Sequence, residues 1–156
     1  EERIAVLTNT GRLYVYLPNE EKTERIAMDT TKMEWSLDND SEESTDELLM
    51  YANNHEIYIY DPLIENSETI TRYTEKIKNA FWYKGNYKYI VFSVGNKIKI
   101  IELDETDHRN CADIWQAPAE ENIAADSGYI GQENENLYFS ITSEGKGTVR
   151  KFKIRQ

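Results

Sequence analysis

Two histidines, one cysteine and two runs of carboxylates are the side chains here whose type and spacing suit chemistry. His108 stands three residues before Cys111, and a His–Cys pair can activate a thiolate for nucleophilic attack. The pair sits where the loop Asp104-Glu105-Thr106-Asp107-His108-Arg109-Asn110 meets a strand, a spacing that matches no thiol-enzyme pattern. The expectation is a buried structural cysteine beside a solvated histidine. His55 falls in a hairpin turn, Asn53-Asn54-His55-Glu56, far from both along the chain. No Gly-x-Ser-x-Gly nucleophile elbow occurs. The sequence therefore predicts no catalytic residue and no enzyme activity.

Metal and phosphate chemistry meet similar obstacles. Two histidines and one cysteine cannot close a zinc site. Asp38-Asn39-Asp40-Ser41-Glu42 places oxygen ligands at alternate positions, as a calcium loop begins, but lacks the sixth-position Gly and twelfth-position Glu of an EF-hand. It reads as a solvated acidic insertion, part of a run that continues to Asp46 and Glu47. Asp104, Glu105 and Asp107 are a weaker cluster of the same kind. Gly145 and Gly147 flank Lys146, but no helix follows to cradle a phosphate, so this is a hairpin turn. No cofactor and no metal are expected.

The elements that would position any site are strands. A strand-like run recurs four times: Ile4 to Thr8, Leu48 to Ala52, Tyr89 to Ser93 and Asn136 to Ser140. Each is followed by a short polar turn and a second apolar run. The closing residues Thr8, Ala52, Ser93 and Ser140 are 44, 41 and 47 residues apart. Several strands per unit at this period predict an all-β β-propeller of about four blades, each a four-stranded antiparallel sheet, with partial blades at both ends. The units are 1–30, 31–76, 77–120 and 121–156 of a single domain, 1–156, with three, four, four and three strands.

The leading strand of the second unit carries Trp35 (Lys32 to Leu37), and that of the third carries Trp82 (Asn79 to Tyr83). That of the last lies near Asn122 to Asp126, and Cys111 to Trp115 closes the third unit. Gly- and Asn-rich pairs between the runs supply the positive φ that hairpin turns need. Apolar residues at consecutive positions, as in Ile90-Val91-Phe92, imply strands buried on both faces, which a sandwich with clean alternation would not show. Ile90, Phe92, Leu49, Tyr51, Leu137 and Phe139 are predicted to be buried between blades. Tyr14 and Tyr16 match Tyr58 and Tyr60 of the next unit, and packing between blades is their expected role. No segment shows a sustained helical period.

Trp82-Tyr83-Lys84-Gly85-Asn86, then Tyr89 to Ser93, then Lys97-Ile98-Lys99-Ile100, resembles the repeat unit of TolB-type, WD-repeat-like bacterial propellers. Trp35-Ser36-Leu37-Asp38 resembles the same opening, although Asn39 replaces the usual Gly and no Trp opens the last unit. The resemblance implies a propeller with a scaffold role, favours an extracytoplasmic or cell-surface setting, and carries over no catalytic residue.

Charge narrows the partners. Lys and Arg number 18 against 29 Asp and Glu, giving a net charge of −11. That balance argues against nucleic acid and an anionic membrane surface, and fits a basic protein partner, or simple solubility, better. No apolar run reaches membrane-spanning length. The single cysteine precludes an intramolecular disulfide. The chain opens Glu1-Glu2, which suggests a piece cut from a longer protein. The expected function is a non-catalytic protein-binding scaffold. Two alternatives differ in class: an accessory propeller attached to a catalytic domain outside this chain, and a glycan-binding lectin with exposed aromatics repeated in each blade. Open terminal blades would be completed within a larger ring, or by a second copy in a homo-oligomer.

Overall fold

The computed structural model describes residues 3–36, 47–84, 87–104, 108–131 and 136–154. Within them the chain forms four consecutive antiparallel sheets. The first holds β1 (Ile4–Leu7), β2 (Leu13–Leu17) and β3 (Lys22–Ala27). The second holds β4 (Lys32–Trp35), β5 (Leu49–Ala52), β6 (Glu56–Asp61) and β7 (Asn66–Arg72). The third holds β8 (Ile77–Trp82), β9 (Tyr89–Val94), β10 (Lys97–Glu102) and β11 (Cys111–Gln116). The fourth holds β12 (Glu121–Ile123), β13 (Tyr129–Ile130), β14 (Asn136–Ser143) and β15 (Lys146–Lys153). Each strand pairs with its sequence neighbour, except that β12 and β13 both pair with β14. These sheets are propeller blades. The only helical element among the described residues is one 3-10 turn, Pro18–Glu20.

Three apolar cores lie between consecutive sheets. Leu13 and Val15 pack on Leu49, Tyr51 and Tyr60. Met50, Ile57 and Ile59 pack on Trp82, Ile90 and Phe92. Val91 and Ile98 pack on Leu137, Phe139 and Ile141. A central blade is thus covered on both faces, which is why Ile90, Val91 and Phe92 are all fully buried. Burying one such side chain contributes about 1.5–3 kcal/mol. All six residues predicted to lie between blades are buried there. Trp35 and Trp82 each end the first strand of their sheet, opposite Leu49 and Ile90 respectively.

Two expectations need correction. The leading strand of the last blade does not run from Asn122 to Asp126. It is broken into β12, opposite Ile141 to Ser143, and β13, opposite Leu137 and Tyr138. The break follows from local backbone needs. Asp126 is left-handed and Gly128 has φ 125, and a Cβ on Gly128 would come within 2.8 Å of both the Phe139 and Phe81 rings. The chain must bulge there to make room for two aromatic rings. The last sheet therefore has four strands by sequence but three positions across.

The second correction is a register slip. Aligning Thr8 with Ala52 would put Leu7 opposite the Tyr51 position. Leu7 instead faces the second blade, whereas Tyr51 faces the first. The hairpin explains it: five residues separate the paired Leu7 and Leu13, against four between Ala52 and Ile57. The first turn is one residue longer, and a one-residue shift exchanges the two faces of a strand. Corrected, Val6 matches Tyr51, while Tyr14 and Tyr16 do match Tyr58 and Tyr60.

Candidate functional site

One end of the propeller gathers the turns within blades and the connections between them. These are 8–12, 28–31, 53–55, 73–76, 95–96 and 117–120. A repeated hydrogen bond ties them together. The N–H entering each new blade donates to the preceding blade's turn: Thr30 to Gly11 at 2.9 Å, Ile77 to Asn54 at 2.7 Å, Ala117 to Asn96 at 2.8 Å. The central turn is further fixed because Asn53 Oδ1 accepts the N–H groups of His55 and Glu56, at 2.7 and 2.8 Å. Asn side chains that bond backbone this way are why Asn suits such turns. Asn54 and His55 are thereby held exposed on a rigid support.

A shallow cavity lies on each side of this turn, each of about 210 Å³. The first is lined by Ala27, Met28, Thr30, Tyr51, Asn53 and Tyr58. Its floor is the Tyr51–Tyr58 stack, with centroids 4.9 Å apart and planes 7° from parallel. Met28 is exposed, and the buried Thr30 hydroxyl makes no hydrogen bond. The second cavity is lined by Thr31, Lys32, Asn54, Lys76, Ile77, Lys78, Ala125 and Asp126. It lies where the first strands of the last three blades converge. Lys32 pairs with Asp126 at 2.5 Å, and Lys78 Nζ donates to the Ile123 carbonyl at 3.0 Å.

Between the two cavities and the outer strand sits a strong polar cluster. Glu56 accepts from the Tyr58 hydroxyl at 2.5 Å, Asn53 Nδ2 at 3.1 Å and Arg72 Nε at 2.5 Å. These donors, Tyr58 first, hold its carboxyl down to about 2. Burial, then Glu56, pushes Tyr58 up to about 12. The cluster stiffens the base of the turn and keeps the Glu56 carboxylate engaged by three donors.

The residues singled out for chemistry are not brought together. His55 lies at the end just described, and His108 in a connection at the other end. No hydrogen bond joins His108 to Cys111 among the described residues. Cys111 is exposed, not buried, because its strand is the outermost of its sheet. Its Sγ lies 3.5 Å from the Tyr73 hydroxyl. Burial, then Cys111, raises the Tyr73 pKa. Asp38 to Asp46, Glu105 and Asp107 lie outside the described residues. Among the described residues, no three His, Cys, Asp or Glu side chains are grouped to hold a metal. Glu144 and Gly145, both at positive φ, form the β14–β15 turn, and Lys146 opens β15 opposite Ser143. The lysine cavity went unforeseen. Its one signal in the sequence is that Lys32, Lys76 and Lys78 all fall three to six residues before a blade-opening Trp.

Comparison with solved structures decides the fold. The β-propeller domain of Cps50 (Swd1) from Myceliophteria thermophila superposes with a TM-score of 0.68 at 10% identity, over 98% of this chain and 52% of that one. The chain is a β-propeller by fold. A component of the mitotic checkpoint complex (TM-score 0.60, 11% identity, 96% and 46% covered) is also similar. So is an oligogalacturonate lyase in complex with manganese (0.61, 9%, 94% and 42%). The propeller described here spans about half the length of these chains. No family model and no curated protein matches the sequence. No described helix is long and apolar enough to cross a membrane.

Proposed function

We propose that this propeller is a non-catalytic protein-binding scaffold, TolB-type or WD-repeat-like in its repeat, with 1–156 forming one propeller segment. The observation that carries this is the end face around Asn53-Asn54-His55. It offers two adjacent shallow cavities on a rigid sheet support, the kind of surface that binds without prior ordering cost. The net charge of −11 favours a basic partner over most of the surface. The lectin alternative asks for exposed aromatics repeated in each blade. Among the described residues the exposed large aromatic is Tyr129, in the last blade alone.

The outer face of the first blade supports a second copy as a further partner. Ile4, Val6, Tyr14 and Tyr16 occupy the positions of Leu49, Tyr51, Tyr58 and Tyr60, which the first blade covers in the second. Ile4 and Val6 are 42% and 45% exposed. This face carries the residue positions that form an interblade contact in the second blade, and β1 lies at the edge of its sheet. The same face would serve an accessory propeller docked beside an enzyme domain.

The test is comparative capture. Proteins retained by the wild type should be lost with Asn54→Arg on the end face and kept with Ile64→Glu on the opposite end, where Leu63 and Ile64 are exposed. Retention by Asn54→Arg together with loss by Ile64→Glu would move the binding surface to the other end.

A further inference from the structure

We propose that the cavity between Lys32, Lys76 and Lys78 binds a phosphate group, either free or as a phosphomonoester. Charge accounting singles it out. Elsewhere Lys22, Lys84, Lys97 and Lys99 each meet a carboxylate within ion-pair distance, Lys151 stands over the Tyr138 ring, and Lys146, exposed at the last hairpin, lines neither cavity. In this cavity three lysines stand with a single carboxylate, that of Asp126, which pairs with Lys32. Two positive charges are left over in a chain whose net charge is −11. Concentrating like charges in one cavity is costly unless an anion offsets them.

The geometry suits a phosphate. Lys32 is held by Asp126 and Lys78 by the Ile123 carbonyl, so both ammonium groups are anchored on one side and keep donors to spare. Lys76 is exposed and forms no ion pair among the described residues. Asn54, and the broken strand around Asp126, complete the wall. A phosphate carries about −1.5 to −2 charge near neutral pH, which matches the surplus. Lysine binds phosphate as a point charge from several directions. A volume of about 210 Å³ leaves room for the ester carbon and its side chain.

This deepens the binding reading of the end face and rests on it, but its test needs no protein partner. Amide chemical shifts are followed while inorganic phosphate, and separately a phosphoserine peptide, are added at constant ionic strength. Saturable shifts at residues 31–32, 54, 76–78 and 125–126 are expected. Lys76→Gln should weaken binding about fivefold or more, and Lys146→Gln, in the last blade's hairpin, should not. Because Lys76 is exposed and unpaired, its variant should fold normally. Tighter binding of the peptide than of phosphate assigns the site to a phosphorylated protein side chain; equal or weaker binding assigns it to the free anion. Shifts that do not saturate, or that are unchanged in Lys76→Gln, overturn the proposal and leave the protein-binding reading standing.

Discussion

Glu34 and Trp82 lock the second and third blades together through two hydrogen bonds. The Trp82 backbone N–H donates to Glu34 Oε2 at 3.0 Å, and the indole Nε1–H donates to the Glu34 carbonyl at 2.9 Å. Trp82 is fully buried, so both donors would otherwise be unsatisfied. Trp82→Phe removes one bond and leaves a void. It should cost about 2–4 kcal/mol in urea unfolding, and Trp35→Phe, at a half-buried position, clearly less. Equal costs for the two variants would contradict the lock.

Gly128 and Gly145 both have positive φ but differ in surroundings. A Cβ at Gly128 would strike the Phe139 and Phe81 rings, whereas one at Gly145 meets nothing within 4 Å. Gly145→Ala should cost about 1 kcal/mol from backbone strain alone. Gly128→Ala should cost about 2–4 kcal/mol, because overpacking adds to the strain. Thermal melts of the two variants measured side by side check the order.

Glu56 sets a pH dependence whose sign is fixed. Its carboxyl is depressed to about 2, so its contribution is present above the ordinary carboxylate value of 4.5 and lost as pH falls through about 2. The stability gap between wild type and Glu56→Gln should therefore be widest near neutral pH and shrink across that window. Tyr58→Phe removes the main cause, and the Glu56 titration followed by NMR should then move upward. A titration unmoved by Tyr58→Phe would show that the tyrosine is not the main donor.

Self-association through the first blade makes a concentration-dependent prediction. Light scattering should show a species of 18.3 kDa giving way to a larger one as concentration rises. Val6→Glu should hold the protein at the smaller mass, since a charge on an apolar sheet face opposes its burial. A strictly monomeric wild type at every concentration would remove the second copy as partner.

The blades themselves were readable because interblade burial leaves consecutive apolar residues, as in Ile90-Val91-Phe92, and a repeat at a fixed period. Face assignment in the first blade was not readable. It depends on one extra residue in the turn before Leu13, and turn length leaves no mark on the apolar pattern. The broken strand before Gly128 was hidden for a similar reason, since its cause is the meeting of Phe81 and Phe139 from different blades. Cys111 looked like core from its residue type, but its place on an outermost strand is a property of the ladder order. The lysine cavity brings Lys32 to Lys76 and Lys78, more than forty positions along the chain, and both to Asp126, more than forty further on. Their charges became a cluster only once three blades had been stacked around them.

The proposed binding surface is the end carrying Asn53-Asn54-His55. A photo-crosslinking residue placed at Asn54, and in a separate protein at Ile64 on the opposite end, tests it directly in cells of the natural source. A discrete crosslinked protein adduct is expected from position 54, competed by the unlabelled wild type, with little or none from position 64. Adducts from position 64 alone, or equal yields from both ends, would contradict it.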